Sequence, residues 1–346
     1  MRVKDRGQST GYYIGIMLAG LFFLSLGRAV ANADNSPRFI SPVDCSVPLE
    51  CSIQNYVDAR PGTGYRDYTC GTLSYERHKG TDFRVLRYDL YLKGVPVLAV
   101  ADGIVLHQRS DASDGDYILK GDRAVYRQEV GNNVVIDHLN GWQTTYAHLK
   151  KGSVTVSSGD KVNAGDIIGI VGLSGKTEFP HLHFQTSYNK GLIDPFTGEK
   201  PSGCITPTKN SLWNLPDGNF FEYKSTGIVD VGFASQPPEQ KLLAFHSEQK
   251  RISVNENPEL LVFWGELWGL RIADRLTLKF KDPKGEIITN QTILKNNQAS
   301  FMYYNGMKRP KSGWINGTYT GKVTLERLVN RKWQVIASSQ KQQILP

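Results

Sequence analysis

A chain of 346 residues, 40% apolar and 21% charged, is long enough for two domains, and either half can bury a core. Its 34 glycines and scarcity of long helix-period runs argue for a β-rich fold with no low-complexity tract. The net charge of +8 is uneven: residues 34–240 carry 20 basic and 24 acidic side chains (−4), whereas residues 241–346 carry 17 and 8 (+9).

In chain order, Arg2, Lys4 and Arg6 precede an apolar run of 15 residues, Tyr12 to Leu26, and then Ala31-Asn32-Ala33. This is the pattern of a secretory signal over residues 1–33. The run is shorter than the ~20 residues of a membrane span, and an uncleaved N-terminal anchor is the alternative. Either way the rest of the chain is expected in an exported compartment, the periplasm or cell envelope. Cys45, Cys51, Cys70 and Cys204 fit that compartment as disulfides. No C-x-x-C pair supports a zinc knuckle instead. Three pairings are open, and a bond from Cys204 would tie the end of the first domain to its lead-in.

Residues 45–71 are rich in turn formers and read as a loop-rich lead-in. Gly80 disfavours a helix over residues 78–84, so His78 and Asp82 are expected on one face of a strand. Residues 95–106 read as two strands broken at Asp102-Gly103. Residues 111–127 are polar and irregular, a surface insertion. Residues 132–138 and 142–148 form a hairpin around Asn140-Gly141. Spaced glycine turns fill residues 154–171. The run Pro180-His181-Leu182-His183-Phe184 is a strand whose two imidazoles share one face, because strand side chains alternate with period two. Residues 201–240 read as a linker. Short alternating strands at 260–263, 275–280, 286–289, 319–325 and 333–337, separated by turns, predict a β-sandwich over residues 241–346.

The histidines and Asp82 carry the chemistry. Hydrolytic zinc sites use three protein ligands and leave a position for water, and imidazole and carboxylate suit Zn²⁺. His78, Asp82 and His183 supply such a set. His148 and His181 are then candidates for proton transfer and oxyanion stabilisation. His138 is expected to be a structural hydrogen-bonding residue. Tyr146 shares a strand face with His148, which allows a substrate contact, although packing is the usual role of a strand tyrosine.

The motifs H-x-x-x-D at residues 78–82, Y-A-H-L at 146–149, H-L-H-F at 181–184 and D-P-F at 194–196, with the glycine-spaced run 156–175, resemble the M23 (lysostaphin/LytM-type) zinc peptidases. The resemblance covers roughly residues 70–197. It implies a mainly β chain: an antiparallel-sheet M23 peptidase domain within residues 34–200, followed by an immunoglobulin-like β-sandwich. It implies zinc held by His78, Asp82 and His183, catalytic roles for His148 and His181, and hydrolysis of peptide bonds in peptidoglycan. Two other readings differ in class: a non-catalytic activator of a cell-wall amidase, which ligand loss would mark, and a wall-binding protein with a vestigial peptidase fold. The basic tail suggests attraction to an anionic wall polymer or membrane surface. Nucleic acid is not expected as a partner outside the cytoplasm. Trp264, Trp268, Tyr303, Tyr304 and Trp314 are candidate exposed aromatics of that tail, with core packing the alternative for any of them.

Overall fold

The computed structural model describes residues 36–204, 210–215, 221–240, 243 and 254–346. The expected signal, residues 1–33, lies outside the described residues, as does His246. The first part of the described chain contributes β1 (Cys51–Asn55), β2 (Thr81–Val85), a short helix α1 (Tyr88–Lys93), β3 (Pro96–Leu98), β4 (Gly103–Arg109), α2 (Asp116–Lys120), β5 (Asn132–Asp137), β6 (Trp142–Leu149), β7 (Lys161–Val162), β8 (Ile167–Ile170), β9 (His181–Tyr188) and β10 (Gly191–Ile193). One antiparallel sheet runs β1-β2-β9-β6-β5-β4-β7, with β10 on β9, while β3 and β8 pair separately.

The register of β2 on β9 places the chemistry. Asp82 lies opposite His183 and Arg84 opposite His181, while Phe83 faces Leu182. Alternation therefore sorts the apolar Phe83, Leu182 and Phe184 onto the core face, where each is fully buried. The other face receives Asp82, Arg84, His181 and His183. The expected surface insertion is partly ordered: it carries α2 and a 3-10 turn at Asp122–Val125. The Asp114 carboxylate ties it down by accepting from the Leu173 and Lys151 backbone N–H groups.

A second β-rich region follows. Its strands are β11 (Gly227–Ala234), β12 (Leu260–Leu270), β13 (Arg275–Lys281), β14 (Ile287–Ile293), β15 (Gln298–Lys308), β16 (Gly317–Val329) and β17 (Lys332–Leu345). They form two antiparallel sheets, β11-β12-β15 and β14-β13-β16-β17. Leu261, Phe263, Leu276, Leu278, Phe280, Val323 and Leu325 from both sheets share one core.

Two expectations change here. Residues 201–240 do more than link: β11 pairs along β12, and Leu212, Trp213 and Phe221 bury themselves in the core beneath the first sheet. The prolines and glycines there punctuate packed segments. The aromatics expected at the surface are mostly interior. Trp264 and Trp268 are buried, Tyr303 and Trp314 are partly buried against the second core, and only Tyr304 of the five is exposed. The indoles fit because they lie over Gly232 and Gly227, where an added Cβ would sit 2.7 Å from ring atoms.

The disulfides are Cys45–Cys51 and Cys70–Cys204. The second clamps the lead-in to the chain just beyond β10. Among the described residues no helix is long and apolar enough to cross a membrane.

Candidate active site

His78 precedes β2 rather than lying on it: the strand begins at Thr81 and the chain bends at Gly80. The bend, not strand alternation, turns the imidazole toward Asp82. The His78 Nδ1–H donates to the Tyr56 carbonyl at 2.7 Å, which fixes the tautomer and leaves Nε2 as a lone-pair donor. That Nε2 lies 3.1 Å from Asp82 Oδ1 and 3.2 Å from His183 Nδ1. His183 Nδ1 lies 2.9 Å from Asp82 Oδ1. Asn55 Nδ2 donates to the other Asp82 oxygen at 3.0 Å and holds the carboxylate from behind.

Three lone-pair atoms at these spacings repel one another unless a cation or proton lies between them. Zinc bonds of ~2.0–2.1 Å in a tetrahedron would separate their ligand atoms by roughly 3.3 Å. The observed separations fall just below that, and His78, Asp82 and His183 form a group able to hold a metal ion. Burial, the largest influence on Asp82, pushes its pKa up. The neighbouring imidazoles of His78, His181 and His183 outweigh it and hold the carboxyl well below its ordinary range. Asp82 is therefore ionised at neutral pH.

His148 and His181 complete the cluster. Their rings are 4.8 Å apart, and the ring of His148 is 5.9 Å from that of His183. His148 Nδ1–H donates to the Ser174 carbonyl at 2.8 Å and His181 Nδ1–H to the Phe179 carbonyl at 2.9 Å. Both imidazoles thus present Nε2, which in His181 lies 3.5 Å from Asp82 Oδ1. Burial lowers both pKa values, that of His148 well below the ordinary histidine range. Each is a neutral base near pH 7.

The expected shared face of Tyr146 and His148 does not survive. Tyr146 is fully buried among core aromatics, and its hydroxyl accepts the Val100 N–H. Ala147, not His148, lies opposite His183. His148 reaches the site through a break in alternation: the β5–β6 register shifts there and His148 adopts φ 62°. A bulge re-aims a side chain in just this way. His138 is structural, as its two ring nitrogens engage the Asp102 carbonyl and the Thr144 hydroxyl.

Several supporting residues were not anticipated. Tyr56 acts through its backbone carbonyl, which no side-chain motif announces. Ser174 Oγ accepts from the Asn132 N–H and donates to the Leu149 carbonyl, bracing the segment that orients His148. Gly80 packs directly under His183; its place between His78 and Asp82 was the available signal.

Residues 76–195 match the model of Peptidase family M23. This segment is an M23 peptidase domain. Its similarity extends to the DD-carboxypeptidase/endopeptidase Mpg of Neisseria meningitidis, 31% identical over 133 residues, covering 38% of this chain and 25% of that protein. Peptidoglycan DD-endopeptidase ShyA of Vibrio cholerae is 30% identical over 132 residues, again 38% and 25% of the two chains. The chain thus spans about a quarter of the length of the curated relatives it matches. Among solved structures, the catalytic domain of lysostaphin from Staphylococcus simulans is 28% identical, covering 39% of this chain and 86% of that one at a TM-score of 0.26. All five histidine and aspartate positions singled out in the sequence fall inside the M23 domain.

Proposed function

We propose that this protein is an exported zinc-dependent endopeptidase that hydrolyses peptide bonds of peptidoglycan. The observation that carries the reading is the convergence of His78 Nε2, Asp82 Oδ1 and His183 Nδ1 beside two further buried imidazoles. His78, Asp82 and His183 would hold the metal. Zinc, when bound, acidifies water and polarises a scissile carbonyl. The protein's part is to manage protons and charge. With Nδ1 committed to the Ser174 carbonyl, His148 Nε2 is the free atom that takes a proton from attacking water. The imidazolium so formed on His148 can return that proton to the leaving amine, and His181, whose Nδ1 is likewise engaged by Phe179, turns Nε2 toward the same space and can stabilise the oxyanion once Nε2 carries a proton. General acid–base groups of this kind contribute typically ~10²–10⁴-fold.

The amidase-activator reading would require missing ligands, and this set is whole. The substrate follows from the M23 domain and from relatives named as peptidoglycan DD-endopeptidases. Two disulfides and the signal-like N-terminus favour export to the periplasm or envelope. The +9 balance of residues 241–346 favours contact with an anionic wall polymer or membrane surface. The test is metal dependence on purified peptidoglycan. Release of peptide fragments should stop after chelation and return with one equivalent of zinc per chain. Undiminished release by chelated, metal-free protein would refute the proposal.

A further inference from the structure

The C-terminal β-rich region contains one histidine, His246, and no cysteine. One buried contact connects it to the catalytic face. Arg84 lies on β2 two residues beyond Asp82, on the same face and directly opposite His181. It is 1% exposed, an unusual place for a guanidinium. One arm, Nη1, donates to Gln54 Oε1 at 2.7 Å. The other, Nη2, donates at 2.8 Å to Oε1 of Glu266 on β12, a carboxylate that is 2% exposed. Glu266 is itself fixed by Tyr88, whose hydroxyl donates to Oε2 at 2.7 Å, and by Gln240 and Ser300, which donate to Oε1. Both Glu266 oxygens and both Arg84 terminal nitrogens are therefore engaged, while the buried Arg84 Nε has no hydrogen-bond partner.

The guanidinium carbon sits 4.5 Å over the ring of Phe179. Phe179 in turn meets His181 twice. Its carbonyl accepts the His181 Nδ1–H, and its ring lies 4.8 Å from the imidazole. Glu266 holds Arg84, Arg84 covers Phe179, and Phe179, with Thr177 Oγ1 3.0 Å from the same Nδ1, orients His181. A buried ion pair contributes little to net stability by comparison with an apolar pair of similar size, so stability alone is a weak reason for this one.

We infer that Arg84 and Glu266 are positioning residues for His181, so that the C-terminal region completes the active site of the M23 domain. The inference rests on the proposed catalytic role of His181. Reacting groups tolerate little misplacement, since a shift of ~1 Å can cost ~10²-fold in rate. Freeing Phe179 should thus act on turnover and leave substrate binding and the metal ligands alone.

The experiment compares full-length Glu266→Gln, Phe179→Leu and His181→Ala with the unsubstituted protein, using soluble cross-linked muropeptides as substrate. Zinc content is measured on each sample. Glu266→Gln and Phe179→Leu should retain zinc and KM while kcat falls roughly ten- to a hundredfold. If Glu266→Gln does not fold, the double variant Arg84→Met/Glu266→Leu removes both charges and keeps the volume; it should fold, bind zinc and still turn over slowly. Unchanged kcat per zinc-loaded molecule in these variants, with His181→Ala inactive, overturns the inference, even if their melting temperatures fall. Full activity of His181→Ala overturns instead the catalytic assignment beneath it.

Discussion

Gly80→Ala is the smallest change that should dismantle the metal centre. Gly80 has no positive φ, so alanine fits the backbone there, and any effect must come from contact. An added Cβ would stand 2.6 Å from both Cε1 and Nε2 of His183 and 2.7 Å from the Phe184 carbonyl oxygen. Ordinary van der Waals contact begins at 3.4 Å, so the His183 ring must recede by about 0.8 Å. The Phe184 carbonyl is main chain in a central strand and cannot give way separately. Metal–ligand distances tolerate deviations of only about ±0.2 Å, a quarter of the required shift. Disturbing the surroundings of a ligand typically costs ~10–100-fold in metal affinity, and overpacking a filled site costs about 1–3 kcal/mol in stability. Competitive titration against a zinc chelator, paired with a thermal melt of the metal-free protein, separates the two. Gly80→Ala should bind zinc at least about tenfold more weakly than the unsubstituted protein. Zinc affinity and turnover both equal to those of the unsubstituted protein would show that His183 is not held where the ligand set requires.

Four other outcomes follow from the same geometry. Asp82→Ala should leave a two-ligand site and low zinc content by elemental analysis; full occupancy would remove Asp82 from the set. His181→Ala should keep its zinc and lose ~10²–10⁴-fold in turnover, and ordinary hydrolysis by this variant would sink the role given to His181. Burial raises the Asp194 carboxyl to about 7, with Phe196 N–H lowering it in part and Asp67 adding to the rise. The folded chain then binds a proton there that the unfolded chain releases near pH 3.8, so Asp194 costs stability increasingly as pH climbs from about 4 to about 7. Asp194→Asn should raise the melting temperature at pH 8 and have little effect at pH 4; an equal effect at both would contradict the linkage. Non-reducing peptide maps should give Cys45–Cys51 and Cys70–Cys204 in exported protein, and a bond from Cys204 to Cys45 or Cys51 would contradict this pairing.

What could be read from the sequence depended on how local its cause is. The alternation in His181 to Phe184 involves neighbours only, and β9 carries it unchanged. The candidate site residues could be recognised because their side chains, and not their backbone groups, converge. β12 was read only as far as Phe263, since both of its faces are covered. Leu261, Phe263 and Leu267 enter the second core while Trp264, Glu266 and Trp268 turn the other way, which erases the alternation that marks a half-exposed strand. β11 was hidden among glycines whose purpose is to admit the indoles of β12. The direction of His148 depends on a register shift against β5, and strict period two assigns it to the wrong face. Arg84 looks like a surface residue until its partner is known, and Glu266 is 182 positions away.

The most direct measurement is the mass of the fragments released from purified peptidoglycan by the zinc-loaded protein. Cross-linked muropeptides should be split by addition of one water at a peptide bond, with the glycan strands intact and with far less product from His181→Ala. Cleaved glycan, or no cleavage of any kind by protein holding its zinc, would contradict the endopeptidase reading.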